Sequence, residues 1–206
     1  MRSDLTSQIL RLTGEHLVLV GISLALAIVI GVALGIAATR MPRMQHGLLG
    51  FASIVQTIPS LALFGFLIPI PFLGGIGERT VIVALILYAL LPILRNTFVG
   101  IKTVDAAVCD AAVAMGMTDW QLLSKVQIPL AMRTILAGIR VAAVVTIGTA
   151  TIGAAVGGGG LGVFIFRGVA TVDTTQILAG AVPAAILALA ADGILGWVEK
   201  KLSIPA

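Results

Sequence analysis

Residue types able to do chemistry are sparse in this 206-residue sequence. Four consecutive glycines, Gly157, Gly158, Gly159 and Gly160, resemble a phosphate loop, but no Gly-Lys-Ser/Thr follows, so nothing would set a cation against a phosphate or hold magnesium. His16, His46 and the single Cys109 are too scattered to form a metal site, and one cysteine excludes an internal disulfide. The histidines flank apolar runs and read as interfacial, and Cys109 reads as a small hydrophobe. No nucleophile, base and orienting acid are placed to cooperate, so catalytic residues are not expected. What remains is polar chemistry set into apolar sequence: the run Gln56, Thr57, Ile58, Pro59, Ser60; the charges Arg140 and Asp192; and an insert over residues 105–129.

The elements that must position these groups are membrane spans. The chain is 59% hydrophobic and 11% charged, with a mean hydropathy of +1.13, which excludes an ordinary soluble domain. Apolar runs long enough to cross about 30 Å of hydrocarbon predict an all-α integral membrane protein with five spans, near 17–39, 48–70, 76–94, 134–156 and 176–198. The third is short unless residues 74–79 dip into the interface. Lys and Arg are retained on the cytoplasmic side. With the loop between spans three and four placed there, that side holds nine of the 13 basic residues: Arg40, Arg43, Arg95, Lys102, Lys125, Arg133, Arg140, Lys200 and Lys201. Arg2, Arg11, Arg79 and Arg167 fall on the other side. This places the N-terminus outside and the C-terminus in the cytoplasm, and it accounts for the net charge of +4 without a nucleic-acid partner. The opening residues are too polar, and the first apolar run too long, for a secretory signal. Leu5, Ile9 and Leu12 at helical spacing predict a short helix on the outer surface.

Gln56, Thr57, Pro59 and Ser60 put polar side chains and a helix breaker near mid-membrane, where only protein or a water-filled cavity can satisfy the freed carbonyl. Two readings fit: a wall of a translocation path, or a proline kink that helps helices pack. Phe64, Phe66 and Tyr88 are candidate aromatic contacts for a cation that has no N–H to donate. Arg140 and Asp192 lie at about the same depth, counted at ~1.5 Å per residue from Arg133 and Lys200. They read either as a structural pair between spans four and five or as independent charges, Arg140 snorkelling to the interface. The glycine run at the outer end of span four lets the backbone turn or approach another helix closely.

Within the insert, Val108, Ala111, Ala112 and Met115 form an apolar helical stripe, Gly116 caps the helix, and Thr118 with Gln121 forms a capping box that starts a second helix. That second helix, with Leu122, Leu123 and Val126 on one side, is expected to stop at Ile128 and Pro129, before span four. A folded loop packed on its own spans and a docking element for a partner are both consistent with the pattern.

Asp110-Ala111-Ala112, then Gly116, then Val126-x-Ile128-Pro129 resembles the Glu-Ala-Ala loop of permease subunits of ABC importers, with spacing matched at every position. Asp110 stands for the usual glutamate, Val126 for isoleucine and Ile128 for leucine. Segments 56–69, 87–101, 115–123 and 136–162 and the region of Asp192 are similar to the permeases for osmoprotectants such as glycine betaine, carnitine and choline. The resemblance implies a type I importer permease fold, with residues 103–130 as a coupling loop gripped by a cytoplasmic ABC ATPase in two copies. It also implies a second permease copy or paralogue, and an extracellular or periplasmic solute-binding protein that docks on residues 71–79 and 160–175. ATP and magnesium would be held by the ATPase, with no cofactor on this chain, in a bacterial inner membrane. An importer for an amino acid or other small solute stays open as an alternative. An ion-coupled carrier fits less well, since the sequence shows five spans, no repeat of the insert and a single deep acid.

Overall fold

The computed structural model describes residues 2–202, with side chains from Leu5 onward, so the side chain of Arg2 lies outside the described residues. Among these the chain is all-helical: α1 Arg2–Arg40, α2 Pro42–Thr57, α3 Ser60–Leu67, α4 Glu78–Lys102, α5 Ala106–Ala114, α6 Asp119–Leu122, α7 Ile128–Gly153, α8 Gly162–Thr171 and α9 Thr174–Leu202. The spans α1, α4, α7 and α9 are long and apolar enough to cross a membrane, and α2 with α3 makes a fifth when the bent pair is taken as one.

The packing centre is α4, which lies against α1, α2, α3 and α7. On the α1 side the contact is set by small residues one turn apart. A Cβ on Gly31 would sit 2.8 Å from Ile93 Cγ2, and one on Gly35 would sit 2.6 Å from Thr97 Cβ, so the two helices touch almost backbone to backbone. Ala27, Ala89, Ile93, Ile101, Ala131 and Ile135 fill the seam between α1, α4 and α7. A second cluster, with Phe64, Val81, Leu85, Ile147 and Ala150, surrounds the bend between α2 and α3.

Three elements differ from the sequence expectation, each for a local reason. No separate surface helix precedes span one. Arg2–Arg40 is continuous, and Leu12 is buried against Leu161, Phe164 and Ala184, with Leu5 and Ile9 packed beside it. The stripe was legible, but its partner is protein rather than the membrane surface. His16, on the same helix, is fully buried rather than interfacial, with Nε2 3.2 Å from the carbonyl oxygen of Ile147. The third span is not short, because α4 runs to Lys102 and leaves Arg95 inside the helix. Acidic Glu78 in its first turn and Lys102 in its last complement the helix dipole.

The glycine run closes the far end of the bundle as expected of a sharp turn and a close approach. Gly157, Gly159 and Gly160 all have positive φ. A Cβ on Gly160 would fall 3.1 Å from His16 Nδ1, and its N–H donates to Glu15 Oε2 at 3.3 Å, so the loop lies directly on α1.

Gly35→Leu is expected to destabilise the protein by about 1–3 kcal/mol by forcing α1 off α4. Gly21→Ala, where nothing lies within 4 Å, leaves stability unchanged or raises it slightly. Thermal unfolding of both variants in detergent measures the difference, and equal midpoints would contradict the backbone contact.

Candidate functional site

The polar break in the second span is built by two prolines. Pro59 cannot continue α2, and the residue before it is pushed to extended geometry, with Ile58 at φ −73°, ψ 125°. The chain turns by 106° between α2 and α3. In α4, Pro92 has no N–H for the carbonyl of Tyr88, one turn earlier. Gln56 Nε2 supplies the missing donor, reaching Tyr88 O at 2.9 Å. In return the Tyr88 hydroxyl donates to the carbonyl of Ile58, which the break leaves open. Each helix thus supplies a donor to a carbonyl left open beside the other's proline.

The other path candidates divide. Thr57 donates to Ile54 O at 2.7 Å within its own helix, and Pro59 is exposed with Ser60 half-buried beside it. Phe64 is fully buried and the Tyr88 ring nearly so, which makes both of them packing residues in this conformation, whereas Phe66 is 65% exposed.

Arg140 and Asp192 meet in a fork: Nε to Oδ1 and Nη2 to Oδ2, both 2.6 Å. Sequence reasoning missed the rest of the ladder. Glu199 lies 3.6 Å from Arg140 Nη1 and 3.9 Å from Arg133 Nε, so α7 and α9 carry two interleaved arginines and two interleaved acids. Gly196 makes room for it, since a Cβ there would stand 3.1 Å from the guanidinium carbon. The signal was present as matching seven-residue spacings, Arg133 to Arg140 and Asp192 to Glu199.

The insert is helix, corner, helix. Asp105 caps α5 by accepting from Ala107 N at 2.9 Å. Gly116 takes φ +84° at the corner, and the capping box of Thr118 and Gln121 has both bonds. The expected stop at Pro129 does not occur. Leu123–Gln127 form a π-helical turn in which Ile128 N bonds Leu123 O, and α7 begins there. The widened turn ends two residues before the proline, which sits in the first turn of α7, and the chain stays helical through it. Residues 119–156 therefore form one continuous rod.

Ala112, Leu122 and Leu123 are buried, Val126, Ile128 and Pro129 are half-buried, and Asp110 and Ala111 are exposed. Val108, Val113, Met115 and Trp120 stand out from the surface. A second tie went unread in the sequence: Arg40 Nη2 donates to Gln127 Oε1 at 2.8 Å, and Gln127 Nε2 lies 3.8 Å from Cys109 Sγ, joining the end of α1 to the insert. At the opposite end, the side-chain and backbone N–H of Gln176 and the N–H of Thr175 hold the Asp173 carboxyl below its ordinary value at the start of α9. Among the described residues no group of His, Cys, Asp and Glu is arranged to hold a metal.

Broken span, apolar helices and protruding insert together define an all-helical protein built to be embedded in a membrane. The chain belongs to the family described as binding-protein-dependent transport system inner membrane component, which matches residues 27–204. It is therefore a multi-pass inner-membrane permease of the ABC class, a transport subunit and not an enzyme. It is 45% identical over 190 residues to the carnitine transport permease protein OpuCD of Listeria monocytogenes, covering 92% of this chain and 84% of that protein. It is 44% identical over 196 residues to the glycine betaine/carnitine/choline transport system permease protein OpuCB of Bacillus subtilis, covering 95% and 89%. Its fold is that of type I importer permeases: an inward-facing structure of the MetNI methionine ABC transporter superposes with a TM-score of 0.88 over 99% of this chain and 100% of that one, at 22% identity.

Tyr88→Phe is expected to leave the Ile58 carbonyl unpaired in the membrane, lowering thermal stability by about 1–3 kcal/mol. Arg140→Asp and Asp192→Arg are each expected to reduce folded protein recovered in detergent. Reversing both together restores most of it, short of wild type because Glu199 then faces an acid; no recovery in the double variant would refute the pairing.

Proposed function

We propose that this chain is the membrane-spanning permease of an ATP-driven importer for osmoprotectants of the quaternary ammonium class, such as glycine betaine, carnitine or choline. The observation that carries this reading is identity of 44–45% across more than nine-tenths of the chain with permeases named for those solutes. The fold likeness to an amino-acid transporter, at 22% identity, says nothing of cargo.

In this reading the insert end of the bundle faces the cytoplasm, with the N-terminus outside. The exposed ridge of Val108, Val113, Met115 and Trp120 meets a cytoplasmic ABC ATPase, two copies of which hold ATP and magnesium. The corner at Gly116 sets the angle of the ridge, with Asp110, Ala111 and Ala112 on α5 and Val126, Ile128 and Pro129 leading into the span. Because α6 passes through the π turn into α7 without a hinge, a push on the insert moves span four as a rod. The rod is tied to α9 by the arginine ladder and packs on α4, so the motion reaches the break at Gln56, Thr57, Pro59 and Ser60. The permease works with a second copy or a paralogue, and an external solute-binding protein delivers cargo at the far end, where residues 71–79 and 160–175 lie.

In vesicles reconstituted with permease, ATPase and binding protein, solute accumulation is expected to stop on ATP depletion while ion gradients are clamped. Accumulation that persisted would make the chain a secondary carrier. Gly116→Val, which forces a β-branched residue into left-handed geometry at about 1–2 kcal/mol, is expected to lower uptake about tenfold while the permease still enters the membrane; undiminished uptake would remove the coupling role.

A further inference from the structure

Two arginines lie inside the spans at similar distance from the insert end, and they are treated differently. Arg140 is seven residues beyond Arg133 and is neutralised by Asp192 and Glu199. Arg95 is seven residues before Lys102, exposed, and among the described residues its side chain has no hydrogen bond or ion pair. Of the described carboxylates, Asp192 and Glu199 are held by Arg140 and Arg133, Glu15 pairs with Arg11, Asp119 belongs to the insert, and Glu78 lies at the opposite end of α4. A cation at that depth calls for water, an anion or a path by which its long side chain reaches the interface.

The surroundings of Arg95 favour a site. It lines a cavity of about 330 Å³ with His46, Leu49, Gly50, Ser53 and Leu91. On α2 the lining positions 46, 49, 50 and 53 recur at helical spacing and lead to Gln56; on α4, positions 95 and 91 lead back to Tyr88. The Gln56 to Tyr88 bond fixes this antiparallel register, so the cavity is the continuation of the broken span's face toward the insert end. Its polar groups are an arginine, a histidine and a serine hydroxyl, and it contains no acid.

We infer that Arg95, with Ser53 and His46 beside it, is a carboxylate-selective station on the translocation route, which attracts the acidic end of a zwitterionic solute as it leaves the break. The inference rests on the importer reading above. Glycine betaine and carnitine carry a carboxylate beside the quaternary ammonium, and choline carries a hydroxyl. An arginine here therefore favours the first two and repels the third, while a guanidinium offers the paired N–H geometry that a carboxylate accepts.

The test is maximal uptake of glycine betaine, carnitine and choline by the complete importer in vesicles, with the binding protein saturated, for wild type, Arg95→Gln and Arg95→Lys. Arg95→Gln is expected to lower carboxylated uptake about tenfold relative to choline, the loss of one charge-assisted bond. Arg95→Lys, which keeps the charge, is expected to recover most of it. If wild type carries only the carboxylated solutes, their loss in Arg95→Gln and recovery in Arg95→Lys, with ATPase copurification intact, supports the station. Equal change for all solutes, no change, or loss that lysine does not recover overturns it and leaves the importer reading standing; so does a wild type that carries choline alone. A wild type that accumulates none of the three removes the importer reading and the station with it.

Discussion

The hydrogen bonds exchanged between Gln56 and Tyr88 hold together the part of the molecule that the membrane would otherwise forbid. In hydrocarbon a carbonyl without a donor is expensive, and a helix broken at Pro59 facing one opened at Pro92 presents two such carbonyls. Side chains cross the gap in both directions, Gln56 to the carbonyl of Tyr88 and the Tyr88 hydroxyl to that of Ile58. Because the two bonds share Tyr88, the bend in the second span and the open turn in the third stand or fall together. The bend in turn sets where α3 packs, and with it the cluster around Phe64.

Charges inside the bundle are organised by the same logic of compensation. The ladder of Arg133, Arg140, Asp192 and Glu199 joins α7 to α9, a helix whose surface is otherwise largely open to lipid or to another chain. Gly196 lets the guanidinium lie against the helix, and the fork geometry makes the contact directional. Apolar packing alone would leave α9 free to slide along α7; a forked ion pair fixes its register.

Force enters through a different device. A π-helical turn lets Pro129 sit at the start of a span without interrupting it, so the second insert helix and span four are one body. The first insert helix is attached at a glycine corner and by Gln127, which bridges Arg40 and Cys109. An insert built in this way can be both a compact grip and a lever, with its apolar ridge left uncovered by the chain itself.

The sequence alone determined the class of the molecule, the number of its spans, the helix-corner-helix insert with its cap at Thr118, and the shared depth of Arg140 and Asp192. These follow from composition, periodicity and local backbone chemistry, which depend on residues a few positions apart. It left the ends of spans uncertain: Leu5, Ile9 and Leu12 gave the same stripe for a membrane surface as for a protein surface, and proline at 129 gave the same signal for a helix stop as for a helix start. Only the tertiary structure decided that Gln56 answers Pro92, that Glu199 completes the ladder, that His16 is buried under the glycine loop and that Arg95 has no partner among the described residues. Each of those depends on which side chain lies across a helix interface, a choice made by close packing between segments far apart in the chain.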